Sequence, residues 1–145
     1  MGVKRSWHCV YNLHYHFVCP LKYREVLLNE EIEKYFIEVC KEIGKRYEIE
    51  FEEIGMDKNH VHVLCGAAPK YSPSRLITVI KSITAREMFK KYPEVKKKLW
   101  GGEFWSDGYY VGSVGEGGNK EVIEKYIARQ GQKPHEIQLK LFDLK

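Results

Sequence analysis

The sequence predicts a ferredoxin-like (RRM-like) α+β sandwich: an antiparallel sheet with two packed helices, plus a further helix toward the C-terminus. Three observations carry this. Strand-like alternation and helical periodicity succeed each other in the order β-α-β-β-α-β. The two middle strand segments are joined only by the turn Asp57-Lys58-Asn59, as in a hairpin. No internal repeat or low-complexity tract interrupts the order. In this topology the first and third strands are central neighbours, which seats residues 60–66 mid-sheet.

Each element has its own signal. Residues 8–19 alternate and are rich in β-branched and aromatic types, which reads as a first strand. Asn29 then caps an amphipathic helix to about Tyr47, with Ile32, Tyr35, Phe36, Val39, Ile43 and Tyr47 at helical spacing. Glu30, Glu31 and Glu33 near its start and Lys45 and Arg46 at its end suit the helix dipole. Residues 49–56 and 60–66 form the hairpin. Ser72-Pro73 opens a second helix to about Tyr92, with proline at the first helical position and Leu76, Val79, Ile80, Ile83 and Phe89 as its buried stripe. The basic run Lys96-Lys97-Lys98 leads into Leu99-Trp100-Gly101-Gly102-Glu103-Phe104-Trp105, read as an ordered loop, and residues 109–114 read as a fourth strand. The glycines of 115–118 form a flexible joint, Asn119 caps a last helix over 119–131, and residues 132–145 are a tail. The whole is one domain, with 8–114 as the ferredoxin-like core.

Composition bounds the function. At 145 residues, 43% hydrophobic and 30% charged, the chain reads as one soluble domain, and no membrane partner is expected. Neither a signal peptide nor an apolar run of membrane-spanning length is evident, so the expected location is cytoplasmic. The four cysteines, Cys9, Cys19, Cys40 and Cys65, lack paired spacing and read as reduced thiols rather than a disulfide frame or zinc knuckle. The net charge of +4 hides an asymmetry: residues 29–57 carry ten acidic and four basic side chains, residues 70–98 nine basic and two acidic. A solvated helix face would explain such runs, and so would a basic surface for a nucleic-acid backbone.

The chemistry-bearing segment is Asn59-His60-Val61-His62-Val63-Leu64-Cys65. On a strand His60 and His62 share one face, with Cα atoms roughly 6.5 Å apart, so both imidazoles can reach one divalent ion. Tyr126 and Gln130, four apart, emerge on one side of the last helix. A phenol can attack a phosphodiester and store its bond energy as a phosphotyrosine. An ion held by two imidazoles and an amide oxygen would stabilise the charge, and Mg²⁺ or Mn²⁺ suits that donor set better than zinc. Each element also has an ordinary explanation. A His-x-His strand can be polar surface or core, Tyr126 can be a packing anchor among Val122, Ile123 and Ile127, and Gln130 can simply be solvated. His14-Tyr15-His16 repeats the spacing on the first strand and is a competing metal-binding pair, since a neighbouring strand could place it near His60 and His62; one of the two is otherwise read as a sheet-packing or DNA-side residue. His8 and His135 give no usable constellation.

Taken in order, the motifs resemble the small single-tyrosine transposases of the HUH endonuclease superfamily. They run Tyr11-Asn12-Leu13-His14-Tyr15-His16-Phe17, Lys22-Tyr23-Arg24, His60-Val61-His62 and Lys81-Ser82-Ile83-Thr84-Ala85-Arg86. Leu99-Trp100-Gly101-Gly102, Phe104-Trp105-Ser106, Gly108-Tyr109-Tyr110-Val111 and Val122-Ile123-Glu124-Lys125-Tyr126-Ile127 follow, then Gln130. The resemblance spans roughly residues 8–132, and no catalytic element of the pattern is missing.

The resemblance implies a metal-dependent enzyme that cleaves and rejoins single-stranded DNA at insertion-sequence ends. Tyr126 would be the nucleophile, forming a 5′-phosphotyrosine and releasing a 3′-hydroxyl. His60, His62 and Gln130 would hold Mg²⁺ or Mn²⁺, with Asp57 as an outer or occasional ligand. The enzyme would be an obligate homodimer whose last helix delivers its tyrosine to the partner's histidines, and the joint at 115–118 suits that redeployment. DNA hairpins near the element ends would be its ligands, and a short guide sequence would choose the cleavage site by base pairing. Lys22, Arg24, Lys81, Arg86, Lys90 and Lys91, with Lys96, Lys97 and Lys98, are the candidate backbone contacts. Tyr23, Trp100 or Trp105 could stack on unpaired bases, although sheet and dimer packing would equally explain the tryptophans. A domesticated relative of the same fold and a non-catalytic nucleic-acid-binding module remain the alternatives.

Overall fold

The computed structural model describes residues 3–21, 30–57, 60–98 and 103–114. Along these the elements are β1 (Lys4–Ser6), β2 (Cys9–Tyr11), β3 (His14–Pro20), α1 (Glu30–Tyr47), β4 (Glu50–Met56), β5 (His60–Gly66), α2 (Pro73–Lys91), α3 (Pro93–Lys98) and β6 (Tyr110–Ser113). β4, β5, β3 and β6 form one antiparallel sheet in that order, so the predicted central pair, β3 and β5, stands mid-sheet. The predicted joint at 115–118, the helix over 119–131 and the tail lie outside the described residues.

Alternation sorts the sheet into two faces. Val61, Val63 and Cys65 of β5 and Phe17 and Cys19 of β3 pack into one core with Ile32, Phe36, Val39, Cys40 and Ile43 of α1 and Leu76, Ile77, Val79, Ile80 and Met88 of α2. Phe36 is wholly buried, and truncating such a side chain to alanine costs about 3–5 kcal/mol. Both predicted helical stripes reach this core, although Tyr35, Tyr47, Ile83 and Phe89 only partly. Ser72 caps α2 by accepting a 3.0 Å hydrogen bond from Arg75 N at Oγ, and Pro73 follows at the first helical position.

The structure departs from the sequence reading in three places. The predicted first strand, residues 8–19, divides into β2 and β3 at a break at Asn12-Leu13, and β2 pairs with the unpredicted β1 ahead of it in a ribbon turning at Trp7-His8. Beyond Tyr92 a further short helix, α3, carries the basic run. In β4 the register slips between Phe51 and Glu53, so Glu52 is an inserted residue that the alternation did not reveal.

Candidate active site

His60 and His62 emerge from β5 on the face turned away from the helices. Their ring centroids lie 5.6 Å apart, and both side chains are fully buried. The hairpin closes with Asp57 N–H donating to the His60 carbonyl at 2.9 Å, which keeps Asp57 beside the pair. Burial, then the neighbouring His60, pushes the His62 pKa down to about 4, with the Asp57 carboxylate pulling the other way. At neutral pH His62 is therefore unprotonated, with a lone pair to offer a metal.

β3 supplies the rest of this face. Pro20 pairs with His60, Val18 with His62 and His16 with Leu64. His16 stacks on His62, the planes 10° apart and the centroids 5.8 Å apart. Burial, then His62, lowers its pKa to about 3. Tyr110 of β6 meets His16 edge-on at 6.2 Å, and burial raises its phenol pKa. Gly112, paired with His16, leaves space for that phenol: a Cβ there would stand 2.8 Å from Tyr110 Oη. The sequence reading gave Tyr110 no role, and only its place in a motif could have signalled one.

His14 plays a different part. Glu52 Oε1 lies 2.5 Å from its Nδ1 and Asn12 Oδ1 2.6 Å from its Nε2. The inserted Glu52 reaches His14 beside Gly66, where a Cβ would approach the imidazole to 3.1 Å. His14 is thus a packing residue at the far end of β3, on the same face as His16, and it is His16 rather than His14 that meets His62.

A loop over residues 103–109 braces the histidine end of the sheet. Ser106 N–H donates to the Pro20 carbonyl and Ser106 Oγ to the Leu21 carbonyl, both at 3.0 Å. Lys81 Nζ donates to the carbonyls of Ser106 at 3.1 Å and Gly108 at 2.9 Å. Gly108 has φ +86°, a left-handed conformation that favours glycine. Trp105 is 8% exposed, its indole donating to Lys81 O and Thr84 Oγ1, so packing rather than base stacking is its role here. Arg86 Nε sits 3.7 Å from Glu87, Lys91 lies over the Tyr35 ring at 4.3 Å, and Lys90 is exposed. Tyr126, Gln130, Lys22, Tyr23, Arg24 and Trp100 fall outside the described residues.

The donor chemistry suits a divalent ion in part. His60 and His62 are adjacent imidazoles, His62 is held unprotonated, and a carboxylate stands nearby. Among the described residues no group of three His, Cys, Asp or Glu side chains converges as a ligand set. A third donor such as the Gln130 amide would have to complete the site.

The family model for IS200-like transposases matches residues 9–130. The chain belongs to the IS200-like transposase family. That match extends over Tyr126 and Gln130. This transposase-family chain is 32% identical over 133 residues to the ISDra2 transposase TnpA of Deinococcus radiodurans, covering 92% of this chain and 94% of that one. It is 28% identical over 131 residues to the transposase for insertion sequence element IS200 of Salmonella typhimurium, covering 90% and 85%. A crystal structure of a Deinococcus radiodurans protein assigned as a transposase superposes with TM-score 0.71 at 29% identity, over 90% of this chain and 99% of that one. The fold alone is shared with a REP-associated tyrosine transposase solved bound to a REP hairpin, at TM-score 0.53 and 13% identity over 80% of this chain and 66% of that one. The α+β architecture predicted from sequence is thus that of these transposases. Among the described residues no helix is long and apolar enough to cross a membrane.

Proposed function

We propose that the protein excises and inserts DNA as a single strand, cutting and rejoining it at insertion-sequence ends with Tyr126 as nucleophile. The observation that carries this is the buried His60–His62 pair beside Asp57, in a chain whose family match extends through Tyr126 and Gln130. The Tyr126 phenol oxygen forms a bond to phosphorus as the bond from phosphorus to the 3′-oxygen breaks. The leaving 3′-oxygen departs as a hydroxyl, taking up a proton, and the 5′-phosphate stays on the tyrosine. Attack by a 3′-hydroxyl reverses these steps and rejoins a strand.

His60, His62 and Gln130 would hold Mg²⁺ or Mn²⁺, with Asp57 alongside. When bound, the ion offsets negative charge on the non-bridging phosphate oxygens. Burial contributes by keeping His62 unprotonated, and the loop over 103–109 by fixing the sheet end from which both histidines rise. The active unit is an isologous homodimer in which one protomer's Tyr126 serves its partner's histidines. Its ligands are DNA hairpins near the element ends, contacted through Lys22, Arg24, Arg86, Lys90 and Lys91.

The test is a denaturing gel of labelled hairpin-bearing single-stranded DNA from the element ends, incubated with protein and Mn²⁺ or Mg²⁺. A covalent adduct is expected, lost with chelator and in Tyr126→Phe but retained in Tyr110→Phe. Tight hairpin binding without an adduct from any end sequence would favour a non-catalytic binding module. A monomer by light scattering at micromolar concentration would remove the shared-site arrangement.

A further inference from the structure

The β1–β2 ribbon lies at the opposite end of the sheet from His60. Four large hydrophobic side chains are exposed among the described residues, and three of them, Val3 (62%), Trp7 (87%) and Val10 (61%), lie on or beside this ribbon. Exposed apolar residues scattered singly need no explanation, but this concentration does. Pairing sets Lys4 opposite Tyr11, Arg5 opposite Val10 and Ser6 opposite Cys9, and directly paired residues share a face. One face turns toward the body: Tyr11 and Cys9 are half-buried, and Lys4 Nζ lies 3.4 Å from Glu50. The other presents Arg5 and Val10 to solvent. At the tip Trp7 and His8 form the turn, His8 at φ 61°, their rings 4.2 Å apart and tilted by 43°. Residues 3–11 include Lys4 and Arg5 but no aspartate or glutamate.

We propose that this ribbon is an accessory contact for single-stranded DNA, with Trp7 stacking on an unpaired base and Arg5 facing the backbone phosphates. The inference rests on the DNA-processing function proposed above and adds a contact point beyond the end of β5 remote from His60, a strand that itself spans roughly 20 Å. The chemistry favours nucleic acid over a second copy of the chain. One flat ring beside one cation suffices to stack a base and neutralise a phosphate, and no carboxylate on the ribbon repels the strand. A stable protein interface needs about 20–30 residues a side, far more than the nine residues of this ribbon.

Fluorescence anisotropy with a labelled oligonucleotide that folds into one hairpin with a single-stranded flank tests this, with a blunt hairpin as comparison. Trp7→Ala is expected to weaken binding of the flanked hairpin about tenfold, Trp7→Phe to restore most of it, and the blunt hairpin to change little. The exposed tip position lets circular dichroism establish that both variants remain folded. Equal affinity of wild type and Trp7→Ala would overturn the ribbon contact while leaving the DNA function standing. A loss confined to oligomeric state by light scattering, with DNA affinity intact, would overturn it in favour of a contact between copies. Failure of the wild type to bind either oligonucleotide would overturn both.

Discussion

The imidazoles of His16 and His62 stack 5.8 Å apart with planes 10° from parallel. Two neutral rings tolerate this contact, whereas two buried imidazolium ions would repel and lose their hydration. Burial first, then an adjacent histidine, sets His16 at about 3 and His62 at about 4, against 6.5 in the unfolded chain. Both folded values lie below the unfolded one, so below pH 6.5 the unfolded chain takes up protons that the folded chain refuses. The metal-free protein should hold its full stability from these groups above pH 6.5 and lose it progressively toward pH 3. Urea midpoints in chelator, from pH about 7.5 to about 4.5, should fall, and His16→Phe should flatten the profile. Superimposable profiles would contradict the neutral-ring account.

Divalent metal should stabilise the folded chain independently of any reaction. A ligand at a hundredfold excess over its dissociation constant adds about 2.7 kcal/mol, a rise of several degrees in Tm. Mn²⁺ added to the metal-free protein should produce that rise, and His62→Ala should abolish it. A full shift in His62→Ala would place the ion elsewhere.

Much of this face was legible because β-alternation is strict: His60 and His62 on one side, Val61, Val63 and Cys65 on the other, follow from period two alone. Ser72-Pro73 marked the start of α2 through capping chemistry. The ribbon was not legible, because its tight turn at Trp7-His8 lacks the glycine or asparagine that usually signals one, and His8 takes φ 61° regardless. α3 is six residues long, too short for helical periodicity to separate it from a charged loop. The Glu52 bulge is a tertiary adjustment without a residue signature. Trp105 sits in an aromatic, glycine-flanked segment that suits a stacking platform as well as a core, and only its partners decide. The roles proposed for Tyr126 and Gln130 rest on family motifs, because their four-residue spacing suits a packed or solvated helix face as well.

Trp105 joins the loop over 103–109 to α2 and packs edge-on against Phe36 at 5.9 Å and Phe104 at 5.0 Å. Trp105→Ala should cost about 3–5 kcal/mol by denaturant unfolding. Trp105→Phe should cost less, since it loses the hydrogen bond but keeps most of the buried ring. A cost under about 1 kcal/mol for the alanine variant would show that the loop does not brace the sheet end.

Thiol reactivity should divide the four cysteines. Burial pushes the Cys19, Cys40 and Cys65 thiols up to about 12, and only Cys9 is partly accessible. Thiolate is the reactive form, so an aromatic disulfide reagent at pH about 8 should label one thiol in the native protein and four in denaturant. Rapid labelling of more than one in the native state would mean that the helix–sheet core opens readily.

Lys81 and Lys90 both belong to the basic stretch of α2, yet they should behave differently on substitution. Lys81 spends its ammonium on the carbonyls of Ser106 and Gly108, so Lys81→Ala should cost about 1–2 kcal/mol of stability through loss of charge-assisted hydrogen bonds. Lys90 is exposed, so Lys90→Ala should leave the denaturant midpoint unchanged. If Lys90 contacts a phosphate, its loss should weaken hairpin binding uniformly across sequences and lower the salt slope by about one. Urea melts and binding isotherms at several salt concentrations separate the two effects. A stability loss in Lys90→Ala, or an unchanged midpoint in Lys81→Ala with a reduced salt slope, would reverse the assignment and return Lys81 to the DNA surface.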